Sequence, residues 1–261
     1  MKGIIEDMKE KEVVIQAKGL KKSFRCGDVE QVIFENLSLD IYKGDFTVIM
    51  GSSGAGKSTL LYSLSGMDRP QKGEVKFCGE MVTNLTDDQL AVFRRKNCGF
   101  VFQQNYLLDR MSLIDNVIVA GVLVSNKRNE IVEKAKKIFE MVNIPPNIQK
   151  KFPNQISGGE AQRVGIVRAV INSPNVVFAD EPTGSLNSDN SKAVLDIFSK
   201  LYKDGQSIIM VTHDKQSALR ANRLIYLKDG KVCGDCNLGE YEDNNTDRTA
   251  KLEKFLIEMG W

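Results

Sequence analysis

The chain has 261 residues, of which 42% are hydrophobic and 27% are charged, and this composition predicts a globular protein with one large core. The net charge of +2 is too small to indicate a nucleic-acid-binding protein, so we expect no nucleic acid among its partners. The most apolar run, residues 117–124, is less than half as long as a membrane-spanning helix, and residues 1–12 are too charged for a secretory signal. We therefore expect a cytoplasmic chain that reaches a membrane surface only through a partner.

Apolar runs bounded by polar turns predict the strands of an α/β fold. Residues 13–17 and 31–41 predict an antiparallel layer, and residues 46–50 predict a core strand after it. Three later runs have the same character: residues 176–180, 207–211 and 223–227. Because a helical pattern separates the first two of these runs, we expect a mostly parallel core sheet.

A mostly helical pattern over residues 87–171 predicts a helical subdomain. The main domain is expected over residues 13–234, after an extension at 1–12 and before another at 235–261. In the C-terminal extension one helical face carries four apolar residues, Leu252, Phe255, Leu256 and Met259. This helix either docks on its own domain, which is the simpler interpretation, or makes a dimer or regulatory contact.

Five cysteines in a chain without a predicted secretory signal fit a reducing compartment. Cys233 and Cys236 form a C-x-x-C pair, but no second pair and no suitably spaced histidine accompanies them. Reduced thiols are therefore favoured over a metal or redox site.

The strongest motif, GSSGAGKST, follows an apolar strand and precedes a helical pattern. It matches G-x-x-x-x-G-K-[ST], in which glycines let backbone N–H groups turn towards phosphate oxygens at a helix N-terminus. We expect Lys57 at the β- and γ-phosphates of a nucleotide and the Ser58 hydroxyl at Mg²⁺. The predicted nucleotide-binding residues are Gly51, Ser52, Ser53, Gly54, Ala55, Gly56, Lys57, Ser58 and Thr59.

An acidic pair, Asp180 and Glu181, lies at the end of the apolar run VVFAD. Asp180 is suited to hold Mg²⁺ through water, and Glu181 is suited to take a proton from an attacking water. Such a pair is common at strand ends, so this interpretation depends on the phosphate-binding motif upstream.

Ser157, Gly158 and Gly159 precede a long helical pattern and predict a second helix N-terminus that meets an anion. The chain thus carries two predicted phosphate-binding motifs but only one predicted nucleotide-binding site. In a head-to-tail dimer, the Ser-Gly-Gly helix of one copy would cap the nucleotide held by the other. An ordinary helix cap is the simpler alternative.

These motifs, in this order, resemble those of ATP-binding-cassette (ABC) ATPase subunits over residues 13–232: GSSGAGKST, GFVFQQN, ISGGE, VVFADE, GSLN and VTHD. The resemblance implies an α/β P-loop NTPase fold, with a mostly parallel core sheet, an antiparallel β subdomain and a helical subdomain. It also implies ATP and Mg²⁺ as cofactors, hydrolysis of ATP to ADP and phosphate, and a homodimer of ATPase subunits.

The resemblance gives roles to three further residues. His213 is the only histidine, and taken alone it is more simply a core residue. In the family the matching histidine contacts the γ-phosphate and positions both the water and the glutamate that matches Glu181. Gln103 matches a glutamine that contacts Mg²⁺ and the water, so the implied metal ligands are Ser58, Gln103 and Asp180. Phe24 falls where the family stacks an aromatic ring on adenine, with core packing as the alternative.

Two departures from the family pattern affect the predicted dimer contacts. Ile156 and Glu160 replace the ends of the usual L-S-G-G-Q signature. Because the central Ser-Gly-Gly is intact, we expect residues 157–160 to keep their contact with the partner's ATP. Asn187 replaces the aspartate that usually ends the loop after the catalytic glutamate, so this position keeps a hydrogen-bond acceptor and loses a charge at the predicted dimer contact.

A single cassette without a long insertion resembles a transporter subunit that binds a separate multi-span permease at the cytoplasmic face of the membrane. The segments GSSGAGKSTLLYSLSGMDRPQKGEV, FVFQQNYLL and ADEPTGSLNS are similar to the macrolide-export, lipoprotein-release and cell-division group. The SLNS loop and the EMGW ending look most like bacitracin-type antimicrobial-peptide resistance modules, which often report to a sensor kinase. A lipoprotein-release or cell-division cassette, and a non-transport, ATP-gated signalling or scaffold cassette, are the alternatives.

Overall fold

The computed structural model describes residues 11–27, 29–242 and 245–261, so the predicted extension at 1–12 lies almost wholly outside the described residues. The strands are β1 (Val13–Cys26), β2 (Val29–Tyr42), β3 (Phe46–Met50), β4 (Lys72–Phe77), β5 (Glu80–Met81), β6 (Cys98–Phe102), β7 (Val176–Asp180), β8 (Ser207–Val211), β9 (Arg223–Lys228) and β10 (Lys231–Asn237). The helices are α1 (Lys57–Leu64), α2 (Asp87–Asn97), α3 (Leu113–Val122), α4 (Arg128–Met141), α5 (Pro146–Gln149), α6 (Gly158–Val170), α7 (Ser188–Lys203), α8 (Lys215–Leu219) and α9 (Thr246–Glu258). Short 3-10 turns lie at Val82–Asn84 and Pro153–Gln155.

The larger sheet has the strand order β10-β9-β3-β8-β7-β6. Its strands from β9 to β6 pair in parallel, and only β10 runs antiparallel, beside β9. Every residue of β3 and β8 is buried, which explains why both strands are continuous apolar runs in the sequence. The predicted mostly parallel core sheet is therefore confirmed.

The smaller sheet is antiparallel and has the order β2-β1-β4-β5. β1 and β2 pair from Val13 opposite Tyr42 to Cys26 opposite Val29, so both extend beyond the apolar runs that predicted them. Several register shifts interrupt this pairing, and the outer half of β2 is mostly exposed. These features hide the alternating pattern by which a half-buried strand is recognised.

One strand lies inside the region that the sequence pattern predicted as mostly helical. Residues Cys98–Phe102 form β6, which pairs in parallel with β7 at the edge of the core sheet. With five residues and only two of them buried, β6 is too short to show a strand period between two helices. The rest of the region contains α2 to α6, and the buried face of α4 carries Ile131, Ala135 and Phe139.

The C-terminal helix α9 docks on its own domain. Leu252 and Leu256 are buried in the larger core, and Phe255 and Met259 pack against it. The buried Arg248 guanidinium donates to five backbone carbonyls, those of Leu219, Ala221, Leu238, Gly239 and Glu240. Through these contacts α9 is joined to the end of α8 and to the segment after β10.

The C-x-x-C pair lies within β10, where the Cys233 thiol is exposed and the Cys236 thiol is half-buried. Both thiols are free, and burial raises the pKa of Cys236. None of the helices in the described ranges combines the length and hydrophobicity needed to cross a bilayer.

Candidate active site

The carboxyl ends of four neighbouring parallel strands bring the predicted site residues to one edge of the core sheet. β3 leads into the glycine-rich loop at residues 51–56, β6 leads into Gln103, and β7 ends at Asp180. His213 follows the end of β8 by two residues. In open α/β sheets this edge is where ligands bind, so the fold itself assembles the site.

The glycine-rich loop has a backbone path that larger residues would block. Gly56 has a φ of 92° as the N-cap of α1, and a Cβ there would lie 2.6 Å from Ile33 Cγ2. A Cβ on Gly51 would lie 2.0 Å from the Leu227 carbonyl oxygen. The loop exposes Ser52, Ser53 and Gly54, buries Gly51 and Ala55, and leaves Gly56, Lys57, Ser58 and Thr59 half-buried.

The Lys57 ammonium lies within the curve of this loop. Its Nζ donates to the carbonyl oxygens of Gly51 at 2.9 Å and Ser52 at 3.0 Å. Burial lowers the pKa of Lys57, and the nearby Glu181 and Asp180 oppose that shift. A phosphate in the loop would replace these two weak acceptors with a stronger one, as the sequence motif predicts.

Asp180 accepts hydrogen bonds from two residues of α1. Ser58 Oγ lies 2.8 Å from Asp180 Oδ1, and the Tyr62 hydroxyl lies 2.5 Å from Asp180 Oδ2. Sequence reasoning missed Tyr62, although its i+4 spacing from Ser58 places both on one face of a helix.

The oxygen atoms of Ser58 and Asp180 fit a site for Mg²⁺. Mg²⁺ prefers oxygen ligands and is usually held by one or two carboxylates together with nucleotide phosphates and waters. The described residues contain no group of three or more acidic, cysteine or histidine side chains that would bind a metal alone. A hydroxyl and a carboxylate beside a phosphate loop are what a nucleotide-bound ion requires.

Glu181 and His213 are in direct contact. His213 Nδ1 lies 2.9 Å from Glu181 Oε1, and Thr212 Oγ1 donates to Glu181 Oε2 at 3.2 Å. Glu181 has a φ of 46°, and its backbone N–H donates to the Val211 carbonyl, so the residue turns sharply off the end of β7. The His213 side chain is 69% exposed, which excludes the alternative of a buried core histidine.

Gln103 lies beside the loop that follows Glu181. A Cβ on Gly184 would lie 3.1 Å from Gln103 Nε2, and Ser185 Oγ donates to the Gln103 carbonyl at 3.3 Å. From the other side, the buried Gln162 of α6 donates to the Phe102 carbonyl at 2.8 Å. The residues around Gln103 therefore connect the site at the carboxyl ends of the strands to α6.

Phe24 is an exposed ring on β1 and not a core residue. Its exposed fraction is 47%, and Lys22 Nζ lies 5.1 Å from the ring centroid. Lys22 is itself held by Asp68, at 2.6 Å. The core-packing alternative is therefore wrong, and the ring is available to stack on a base.

The N-terminus of α6 is capped by two residues of the same segment, Ser157 and Glu160. Glu160 Oε2 accepts from the Ser157 backbone N–H and from Ser157 Oγ, both at 2.8 Å, and these bonds lower the pKa of Glu160. Ser157 and Gly158 are exposed, whereas a Cβ on Gly159 would lie 2.2 Å from Asn190 Oδ1. Asn187 caps α7 by accepting from the Asn190 backbone N–H at 3.0 Å.

Comparison with known proteins places this geometry in a family. A family model described as ABC transporter matches residues 34–184. The macrolide export ATP-binding/permease protein MacB of Chlorobaculum tepidum is 43% identical over 222 residues, which make up 85% of this chain and 34% of that protein. The lipoprotein-releasing system ATP-binding protein LolD of Aquifex aeolicus is 40% identical over 222 residues, which make up 85% of this chain and 97% of that protein.

Solved structures of ATP-binding cassettes are also similar to this chain. A dimeric ATP-binding cassette in a post-hydrolysis state, bound to ADP and Pi, is 33% identical with a TM-score of 0.78, and the match covers 87% of this chain and 100% of that one. The chain spans about a third of the length of the MacB relatives that it matches. These similarities confirm the predicted P-loop NTPase fold of the cassette ATPases. The chain belongs to the ABC transporter family, whose ATP-binding cassettes are ATPases.

Proposed function

We propose that this chain hydrolyses ATP to ADP and phosphate as one of two identical subunits that drive a separate multi-span permease. The observation that carries the proposal is the cluster at one edge of the sheet, where Lys57, the Ser58–Asp180 pair and the Glu181–His213 pair meet. It combines a phosphate cradle, an oxygen site for Mg²⁺ and a general base.

In the proposed reaction the triphosphate lies in the loop at residues 51–59, and Lys57 exchanges its two carbonyl contacts for phosphate oxygens. Mg²⁺, held by Ser58, Asp180 and Gln103, would neutralise charge that develops on those oxygens. Phe24 would stack on the adenine.

Glu181 takes the proton from the attacking water, which then adds to the γ-phosphorus as the bond to ADP breaks. His213 orients the Glu181 carboxylate through Nδ1, which leaves its other ring nitrogen to contact the γ-phosphate. The contact between Thr212 and Glu181 restricts the same carboxylate, so the base is held from two sides.

The second half of each ATP site comes from the other subunit. Ser157 and Gly158 are exposed at the N-terminus of α6, where backbone N–H groups and the helix dipole favour an anion. In the dimer these residues, with Gly159 and Glu160, would face the γ-phosphate of the partner's nucleotide. The dimeric cassette bound to ADP and Pi supports this arrangement.

The finer proposal is a module for export of, or resistance to, antimicrobial peptides of the bacitracin type. The 43% identity to a macrolide exporter supports an export role, and a permease would hold the chain at the cytoplasmic face of the membrane. A sensor kinase acting through that permease belongs to the same proposal. Lipoprotein release is the second candidate, because LolD matches this chain over 97% of its length.

A pull-down from native membranes tests the proposal. Tagged Glu181→Gln protein, which should bind ATP without turning it over, is used with MgATP or with EDTA, and co-purifying proteins are identified by mass spectrometry. We expect a multi-span membrane protein, and a large extracytoplasmic domain in it would favour the peptide-resistance module. Recovery of only soluble proteins, DNA or ribosomes would contradict the transporter role.

A further inference from the structure

Helix α1 presents two hydroxyl groups to a single carboxylate. Ser58 and Tyr62 are four residues apart, so their side chains lie on the same helical face, one turn from each other. Ser58 bonds to Oδ1 of Asp180 and Tyr62 bonds to Oδ2. Both oxygens of the carboxylate are therefore fixed from one helix.

The two hydroxyls differ in how firmly they are held. Ser58 is a short side chain beside the phosphate loop, and its hydroxyl turns about one bond. The Tyr62 ring packs against the core cluster between α1 and the smaller sheet. Its backbone carbonyl accepts from the N–H groups of Met67 and Asp68, at 2.9 and 3.1 Å. The packing of its ring therefore restricts the Tyr62 side chain more than the Ser58 side chain is restricted.

The phenol remains a donor at neutral pH. A tyrosine hydroxyl ordinarily keeps its proton up to about pH 10, so the phenol oxygen carries the hydrogen that Asp180 accepts. A hydrogen bond from this phenol to Oδ2 fixes the plane of the Asp180 carboxylate.

We propose that Tyr62 is a positioning residue for the Asp180 carboxylate: it occupies Oδ2 and so directs Oδ1 towards Ser58 and the Mg²⁺ of bound MgATP. Partners that orient a metal-binding side chain in this way change metal affinity without touching the metal. With MgATP bound, Ser58 and Asp180 would face the ion, and the Tyr62 hydroxyl would continue to hold Oδ2 of Asp180. This inference rests on the proposed role of Asp180 in the function above.

The test measures nucleotide binding as a function of Mg²⁺ in a Glu181→Gln background, where turnover should be roughly 10²–10⁴-fold slower. Tyr62→Phe removes one oxygen atom and keeps the ring and its packing. The matched control is Tyr202→Phe, which removes the hydroxyl of another half-buried tyrosine. Tyr202 packs on Phe46 at the opposite end of β3 from the phosphate loop. The probe is a fluorescent ATP analogue, titrated at fixed free Mg²⁺ and in EDTA.

We expect Tyr62→Phe to raise the Mg²⁺ concentration needed for half-maximal binding about tenfold. Binding in EDTA and the Tyr202→Phe control should match the parent protein. If Tyr62→Phe leaves the Mg²⁺ requirement unchanged, the inference is wrong. If the parent protein itself binds ATP equally well in Mg²⁺ and in EDTA, the proposed Mg²⁺ site fails instead, so the two failures are distinguishable.

A double-mutant cycle separates positioning from a general structural effect. In an Asp180→Asn background, Tyr62→Phe should cause a much smaller further change in the Mg²⁺ requirement, because the carboxylate that it orients is gone. An equal change in both backgrounds would overturn the proposal. Thermal unfolding of each variant without ligand confirms that the compared proteins are folded.

Discussion

The sequence predicts an anion site both at the glycine-rich loop of residues 51–56 and at the N-terminus of α6, but the two regions have different surroundings in the fold. At the loop, residues from four strand ends contact one another, and Lys57, Asp180 and Glu181 already have partners within the chain. At α6, the Ser157 side chain bonds to Glu160 in the first turn of the same helix, and Ser157 and Gly158 are exposed. One region carries the proposed base and the oxygen atoms that would hold Mg²⁺, whereas the other offers backbone donors on the surface. This difference is what a site shared between two copies requires.

The largest expected effect comes from making the same substitution, glutamate to glutamine, in each of the two regions. Glu181→Gln should lower the ATPase rate by roughly 10²–10⁴-fold, because it removes the general base, and ATP should still bind. The matched change is Glu160→Gln, which keeps the general base and should change turnover by no more than about fivefold. Steady-state phosphate release and a binding titration give both numbers. A Glu181→Gln protein with wild-type turnover would remove Glu181 from the mechanism.

The second prediction concerns a substitution that changes only the N-terminus of α6. A Cβ on Gly158 would lie 3.8 Å from Leu186, so a side chain fits there, and Gly158→Glu places a negative charge in front of the partner's phosphate. We expect turnover to fall about 100-fold through this repulsion, with single-protomer ATP affinity unchanged. Gly158→Ala is the uncharged control and should stay within about threefold of the parent. Loss of single-protomer ATP binding in Gly158→Glu would instead place α6 in the same chain's site.

The C-terminal helix α9 stabilises the segment that follows His213, on the side of the glycine-rich loop. Arg248 bonds to the carbonyls of Leu219 and Ala221 at the end of α8, and α8 begins one residue after His213–Asp214. Arg248→Ala should lower the free energy of unfolding by roughly 2–3 kcal/mol, because it leaves buried carbonyls without a charged donor. Denaturant unfolding measures this, with the exposed Arg128→Ala as control. Equal stability of the two variants would show that α9 does not brace the domain.

The smallest effect concerns the charge at α6. The Glu160 carboxylate has a lowered pKa, so it is anionic at neutral pH, and its bonds to Ser157 are lost only as the pH falls through that lowered value. Glu160→Gln keeps a capping side chain and removes the charge near the partner's phosphate. ATP-driven dimerisation in the Glu181→Gln background should strengthen roughly two- to fivefold. Weaker dimerisation would mean that the acid itself contributes to the contact.

The sequence predicted what short-range patterns encode. The buried strands β3, β7 and β8 are continuous apolar runs, and the phosphate loop is a fixed arrangement of glycines before a helix. The prediction missed β6 because its five residues, of which two are buried, are too few to show a clear period between two helices. The Tyr62–Asp180 bond spans 118 residues, and the Arg248 contacts span several segments, so neither has a local signature. The role of His213 could be predicted only from the family motif, and the structure shows that the residue it contacts is Glu181.

The central claim, that each nucleotide lies between two copies of the chain, is tested most directly by the mass of the Glu181→Gln protein in solution. Light scattering should give one protomer of 29.1 kDa without nucleotide or with MgADP, and a dimer with MgATP. Adding Gly158→Glu should return the MgATP sample to the protomer mass while ATP still binds. A mass that does not change with MgATP, or a dimer that Gly158→Glu does not affect, would contradict the shared site.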